Sequence, residues 1–210
     1  MKKIKCTNSK ESITDDELEN IAEAVENGEL IVYPTETVYG IGADIFNESA
    51  IKKLFVAKNR PFDMPLSVAV SSKEMMATIA VMDERAEKLV DAFLPGPLTI
   101  IIKKKPIVPD IVTSMSEKVG IRIPDHEIAL KIIDRVGPIV ATSANLHSHP
   151  DAVKSKEAEN DLGDSVNTYI DSGPCSLGKP STIVWLMGDK MEIVRQGAIT
   201  KKQIEDVLNA

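Results

Sequence analysis

Single glycines and prolines cut this chain into short apolar runs, each followed by a capped amphipathic stretch, and this alternation fixes the fold class. Thr14-Asp15-Asp16-Glu17 reads as a capping box opening a helix that Gly28 closes, with Leu18, Ile21, Ala22 and Val25 on one stripe. Leu30 to Tyr33 reads as a buried strand stopped by Pro34. Asn47 caps a helix through Lys58, and Leu66 to Val70 is a strand. Asp83 caps a helix to Leu94, ended by Pro95-Gly96-Pro97. Strands follow at Leu98–Ile102 and Val119–Ile123, then a helix from Asp125 to Gly137 and a strand over 138–142. The polar stretch 143–164 carries a short helix near Glu157. Strands at 168–171, 182–186 and 191–195 come next, with Gly188-Asp189 as a hairpin turn, and Thr200 caps a last helix. Strands alternating with helices and ending on a hairpin predict an α/β fold with an open, twisted, mixed sheet.

Neither a repeat nor a linker divides the 210 residues, so one domain over 1–210 is expected. With 43% apolar and 27% charged residues, the chain has enough of both for a soluble core. Lys+Arg at 25 against Asp+Glu at 32 gives −7, so a polyanionic partner must meet a local basic cluster rather than a basic surface. Cys6 and Cys175 are too few for a thiolate metal site or a disulfide framework. Without an apolar leader or an 18-residue apolar span, no membrane role is expected and a reducing cytoplasm fits.

Two nucleotide motifs nearly form and fail. Gly173 to Lys179 spells most of a phosphate loop, but Pro180 stands where a hydroxyl should meet magnesium, and a strand follows instead of a helix. Gly40-Ile41-Gly42 lacks the third glycine of a dinucleotide fingerprint. His147, His149 and Asp151 could ligate a metal, but such a loop is more often simply solvated, and no metal site is assigned.

Four polar clusters remain, each at a strand or helix end: Thr35-Glu36-Thr37, Lys58-Asn59-Arg60, Arg122 with Thr142 to Asn145, and Ser181 with Arg195. Ligands of open α/β sheets sit at strand ends. Singly, each has a plain reading: Lys58 and Arg60 face solvent, Arg122 pairs with a carboxylate on an edge strand, and Ser143 and Asn145 stabilise a turn. Together, cations, hydroxyls and an amide suit a polyphosphate or carboxylate pocket.

In this order the clusters resemble the YrdC-like family of threonylcarbamoyl-AMP synthases. The resemblance rests on PTETVYGIGAD (34–44), AKNRPFDMPL (57–66), LPGPLT (94–99), VGIRIPDH (119–126), TSAN (142–145), SGPCSLGKPSTIV (172–184) and VRQGAI (194–199). It covers roughly residues 15–205, as in single-domain members. It implies a deep concave sheet face and a reaction of L-threonine, bicarbonate or CO2, and ATP to threonylcarbamoyl-AMP and pyrophosphate. The product would serve a threonylcarbamoyl-transfer complex acting on tRNA. By the match, Lys58, Arg60, Ser143, Asn145 and Arg195, with Lys118, would hold the nucleotide, Lys58 and Arg60 being catalytic. Thr35, Arg122, Thr142 and Ser181 would hold threonine or its carbamate. Mg²⁺ would accompany ATP. One departure stands out: many members carry a histidine where this chain reads Ser67-Val68-Ala69, which leaves a paralogue of altered amino-acid specificity open.

The chemistry suits these residues. A carbamate anion must approach a polyphosphate, at about 4 kcal/mol of repulsion per charge pair at 4 Å and intermediate dielectric. Cations offset that repulsion, and no protein nucleophile is needed because the carbamate attacks. The polar segment 146–164 is a candidate cover against hydrolysis. Two rivals are weighed. An RNA-binding module is disfavoured by the −7 charge and by only four Phe, three Tyr and one Trp for stacking. A carbamoyl-phosphate-using relative of hydrogenase maturation would carry further domains.

Overall fold

Thr14 caps the first helix as its sequence demands, its hydroxyl accepting from Glu17 N while the Glu17 carboxylate returns to Thr14 N. The structure is a computed structural model and describes residues 2–5 and 13–210. Cys6 lies outside the described residues. The helices are α1 (Asp15–Glu26), α2 (Glu48–Ala57), α3 (Lys73–Ile79), α4 (Glu84–Phe93), α5 (Asp110–Thr113), α6 (Glu127–Val136), α7 (Ser155–Leu162) and α8 (Lys201–Leu208). The strands are β1 (Lys2–Lys5), β2 (Ile31–Tyr33), β3 (Gly40–Gly42), β4 (Ser67–Ala69), β5 (Leu98–Lys103), β6 (Lys118–Arg122), β7 (Ile139–Val140), β8 (Thr142–Ser143), β9 (Thr168–Asp171), β10 (Thr182–Met187) and β11 (Lys190–Arg195).

The class is mixed α/β, as the alternation predicts, and the strands are shared between two sheets. One runs β1-β9-β2-β3-β8 and the other β11-β10-β5-β6-β4-β7. Both mix parallel and antiparallel pairs: β10 lies parallel to β5, while β5 and β6 are antiparallel. The sequence reads 138–142 as one strand. Instead β7 pairs with β4 in one sheet and β8 with β3 in the other, so the chain crosses between sheets at Ala141. That crossing brings Thr142 and Ser143 to the place where the sheets meet.

β2 is buried on both faces, as a continuous apolar run requires. Val32 packs into the larger core with Ile51, Leu54, Phe55, Leu98 and Ile100. Ile31 and Tyr33 face the smaller one, under α1 and α6, with Ile21, Val25, Ile128 and Ile132. Burying each such side chain is worth about 1.5–3 kcal/mol, so the two cores hold the strands that carry the site. Three details differ from the sequence reading. α6 opens at Glu127 with His126 as its cap residue rather than at Asp125, α3 and α5 fall where the sequence reading assigns no helix, and β1 and β3 where it assigns no strand. No described helix is long and apolar enough to cross a membrane.

Candidate functional site

The loop after β2 should be exposed, because loops carry backbone groups that want water. Here residues 34–39 are buried throughout, so their polar groups must find partners inside. Thr35 does much of this. Its hydroxyl donates to the Val38 carbonyl at 2.7 Å, lies 2.9 Å from Thr37 Oγ1, and accepts from the Thr37 and Val38 amides. Tyr39 Oη donates to the Gly173 carbonyl at 2.7 Å, and burial pushes its phenol up to about 12.

Beside this loop, where the sheets meet, lies a cavity of about 190 Å³. Tyr33, Gly40, Thr142 and Ser143 reach it from one sheet; Ser67, Ala69, Thr99, Arg122, Ile183 and Arg195 reach it from the other. Thr35, Thr37, Arg60 and Ser181 complete the polar wall. Of the residues singled out in the sequence, Thr35, Arg60, Arg122, Thr142, Ser143, Ser181 and Arg195 therefore converge from positions far apart in the chain.

Lys58 and Asn145 stand just behind that wall. Lys58 ends α2, where a cation suits the helix C-terminus. It is 2% exposed, and its ammonium donates to the Ser143 carbonyl, the Asn145 carbonyl at 2.6 Å and Asn145 Oδ1 at 3.2 Å. Burial, then the charge of Arg60, lowers its pKa to about 8, against the opposing pull of Asp151 and Asp161. Ser143 Oγ donates to Asn145 Oδ1 at 2.6 Å, and Asn145 Nδ2 donates to the His149 carbonyl at 2.6 Å. The same network pins the segment read as a cover. His147 N donates to the Lys58 carbonyl, Leu146 N to Asp161, and His149 Nδ1 lies 3.1 Å from Asp161. Lys118 lies elsewhere, four residues back along β6 and so about 13 Å from Arg122. Its ammonium sits 4.0 Å above the Trp185 ring.

The charges are unequally compensated. Arg60 donates to the main-chain oxygens of Met64 and Pro65. Arg195, open to solvent, donates through Nε and Nη2 to the Ser181 carbonyl and through Nη2 to Ser181 Oγ, which lies 2.9 Å from Thr99 Oγ1. Neither these two arginines nor Lys58 pairs with a carboxylate among the described residues. Arg122 does. It sits on an interior strand, not an edge as its plain reading supposes, and Nη2 meets Glu36 Oε1 at 2.6 Å with both side chains buried. Its Nη1 donates to Thr37 Oγ1 at 2.9 Å. Tyr33 and Thr99 carry no distinguishing sequence signal, and Glu36 and Thr37, although part of the polar cluster after β2, are assigned no role there, because their importance arises only from contacts across the fold. No group of three or more His, Cys, Asp or Glu able to hold a metal occurs among the described residues.

Comparison with known proteins agrees with this architecture. The Sua5/YciO/YrdC family, described as telomere recombination, matches residues 23–197, and the chain belongs to that family. A threonylcarbamoyl-AMP synthase of Pyrococcus abyssi is 36% identical over 203 residues, covering 96% of this chain and 60% of that one. A threonylcarbamoyl-AMP synthase of Bacillus subtilis is 38% identical over 200 residues, covering 94% and 58%. The crystal structure of P. abyssi Sua5 complexed with L-threonine superposes with a TM-score of 0.91 at 35% identity, over 98% of this chain and 60% of that one. The chain thus spans about 60% of the length of these relatives.

Proposed function

We propose that this protein is a threonylcarbamoyl-AMP synthase working as one domain in the cytoplasm. The observation that carries the reading is that Arg60 and Arg195 line a cavity rich in hydroxyls, with Lys58 just behind its wall, and that none of the three has a carboxylate partner among the described residues. Such a site favours a polyanion, because each cation lacks an internal counterion. The relatives' names and the L-threonine complex of Sua5 support threonine and ATP as substrates.

In this reading the amine of L-threonine adds to CO2 with release of a proton to solvent, or to bicarbonate with loss of water, and either route gives the carbamate. A carbamate oxygen then attacks the α-phosphorus of ATP, and the bond to the bridging oxygen breaks to release pyrophosphate. Arg60 and Arg195 offset the triphosphate charge, Ser143 directs a hydroxyl at it, and Lys58 with Asn145 holds the turn that carries Ser143. Thr35, Thr142, Ser181 and Arg122 receive the amino acid or its carbamate. The nucleoside extends from the cavity along the face of β6 that Gly120 and Lys118 share, toward Trp185. Catalysis is then positioning and charge stabilisation. Among the described residues no carboxylate lines the cavity, and Glu36 is engaged by Arg122. Mg²⁺ enters as part of the nucleotide substrate. The mixed anhydride passes to a complex that modifies tRNA.

The test is incubation with labelled bicarbonate. The reading expects label in an adenylated product only when threonine and ATP are both present, with pyrophosphate released in equal amount. Label that never enters an adenylate, or pyrophosphate release without threonine, overturns it.

A further inference from the structure

Among the described residues, Arg122 is the one cavity-lining cation paired with a carboxylate. Glu36 and Arg122 are 6% and 7% exposed, and their ion pair is 2.6 Å long. The pair is braced on both sides. Thr37 Oγ1 accepts from Arg122 Nη1 at 2.9 Å and lies 2.9 Å from Thr35 Oγ1. The Glu36 carbonyl accepts from Leu177 N at 2.9 Å and Ser176 Oγ at 3.3 Å. Arg60 and Arg195, lining the same cavity, spend their donors on neutral oxygens and keep their full charge.

We propose that Glu36 is a positioning and specificity-determining residue. It divides the cavity into a charge-compensated end at Arg122 and an uncompensated end at Arg60 and Arg195, and so decides which substrate enters where. The physical basis is Coulombic. A guanidinium with a carboxylate at contact presents almost no net charge to a polyphosphate, while its free donor directions still align a small amino acid or carbamate. A polyphosphate is therefore drawn to Arg60 and Arg195 and gains nothing at Arg122. Without this division, two like binding ends would admit two polyphosphates and exclude the amino acid. The assignment of the amino acid to the Arg122 end rests on the synthase reading; the exclusion of polyphosphate from that end does not.

The test is calorimetric titration of the full chain with inorganic tripolyphosphate and, separately, with L-threonine. Wild type is expected to bind one tripolyphosphate. Glu36→Gln uncovers the charge of Arg122 and is expected to bind a second, with threonine affinity reduced tenfold or more. Thr37→Val loosens Arg122 without changing charge and is expected to weaken threonine severalfold with no second tripolyphosphate. Glu36→Gln that is folded by circular dichroism and binds one tripolyphosphate as wild type does overturns the proposal. Should Glu36→Gln fail to fold, the double variant Glu36→Gln with Arg122→Met replaces both charges by neutral groups of similar size. It is expected to bind one tripolyphosphate with wild-type affinity, and a tenfold loss there overturns the proposal by showing that Arg122 itself holds polyphosphate. Failure of bicarbonate labelling with the tripolyphosphate stoichiometries intact removes the synthase reading alone.

Discussion

The ammonium of Lys58 lies 2.6 Å from the main-chain oxygen of Asn145, a bond made across 87 positions of sequence. Together with its bonds to the Ser143 carbonyl and Asn145 Oδ1, it satisfies all three lysine donors with protein oxygens. Lys58 therefore acts on the site through the turn it holds. Lys58→Met would leave these oxygens without their partner, and a buried group left unpaired costs about 1–3 kcal/mol. The variant is expected to lose about 2–4 kcal/mol in urea unfolding, with ATP affinity falling at least tenfold as Ser143 loses its fixed direction. Unchanged ATP affinity in the folded variant would contradict this role.

The lowered pKa of Lys58 gives opposite pH dependences to stability and binding. Its folded value is about 8 against an ordinary 10.5. Below pH 8 both folded and unfolded chains carry the proton. Between pH 8 and 10.5 the unfolded chain holds more protons, so this group makes unfolding more costly as pH rises. The gain approaches about 3 kcal/mol. Wild-type stability is expected to rise over that window relative to Lys58→Met, which lacks the titration. ATP affinity is expected to fall as pH passes through about 8, where the cation is discharged in the folded chain. Parallel stability curves for the two proteins would rule out a depressed lysine.

Arg60 and Arg195 make a simpler case. Each donates to uncharged oxygens, so removing either leaves no orphaned carboxylate behind. Arg60→Ala and Arg195→Ala are expected to fold with little change. A charged hydrogen bond is worth roughly 1.5–3 kcal/mol, so each should weaken ATP by about 10- to 150-fold. Calorimetry at two salt concentrations checks this, since each lost cation should also flatten the salt dependence.

Much of this was readable in advance, and the limit has a physical form. The caps at Thr14, Asn47, Asp83 and Thr200 are local chemistry, and each helix begins where its cap says. The hairpin at Gly188 is equally local, with φ of 55° at the turn. The division into two sheets is not local. It depends on Ala141 passing between partners, which no hydrophobic period records. The candidate site shows the same boundary. Arg122 is conspicuous as a cation inside an apolar strand, but its counterion Glu36 is 86 residues away and looks like any loop carboxylate. Lys118 looks like a phosphate ligand until its position over Trp185 is known.

That position leads to a separate prediction. Lys118, Gly120 and Arg122 alternate along β6 and so share one face. Gly120 keeps this face flat, because a Cβ there would come within 2.9 Å of Ser67 Oγ. Trp185 lies two residues beyond the cavity-lining Ile183 on β10. A purine resting on this strip would lose stacking in Trp185→Ala, worth about 1–3 kcal/mol. ATP affinity is expected to fall about 5- to 150-fold, with inorganic tripolyphosphate affinity unchanged. An equal loss for both ligands would place the base elsewhere.

Gly197 offers the sharpest steric test. Its amide donates to Thr182 Oγ1 at 3.0 Å, and a Cβ there would lie 2.3 Å from both the Pro180 carbonyl oxygen and the Thr182 nitrogen. Both are main-chain atoms flanking Ser181, so neither can rotate away. Gly197→Ala must push the end of β11 off the start of β10, and the Arg195 bonds to Ser181 stretch with it. Overpacking costs about 1–3 kcal/mol, which for a chain of this size is a fall of roughly 2–12 °C in Tm. Gly188→Ala is the comparison. Unlike Gly197, that glycine has a positive φ of 55°, and its Cβ would meet nothing within 4 Å. It should cost about 1–2 kcal/mol from backbone strain alone and leave ATP affinity unchanged, whereas Gly197→Ala should weaken ATP at least tenfold. Equal ATP affinities in the two variants would mean that the spacing of Ser181 and Arg195 does not govern the cavity.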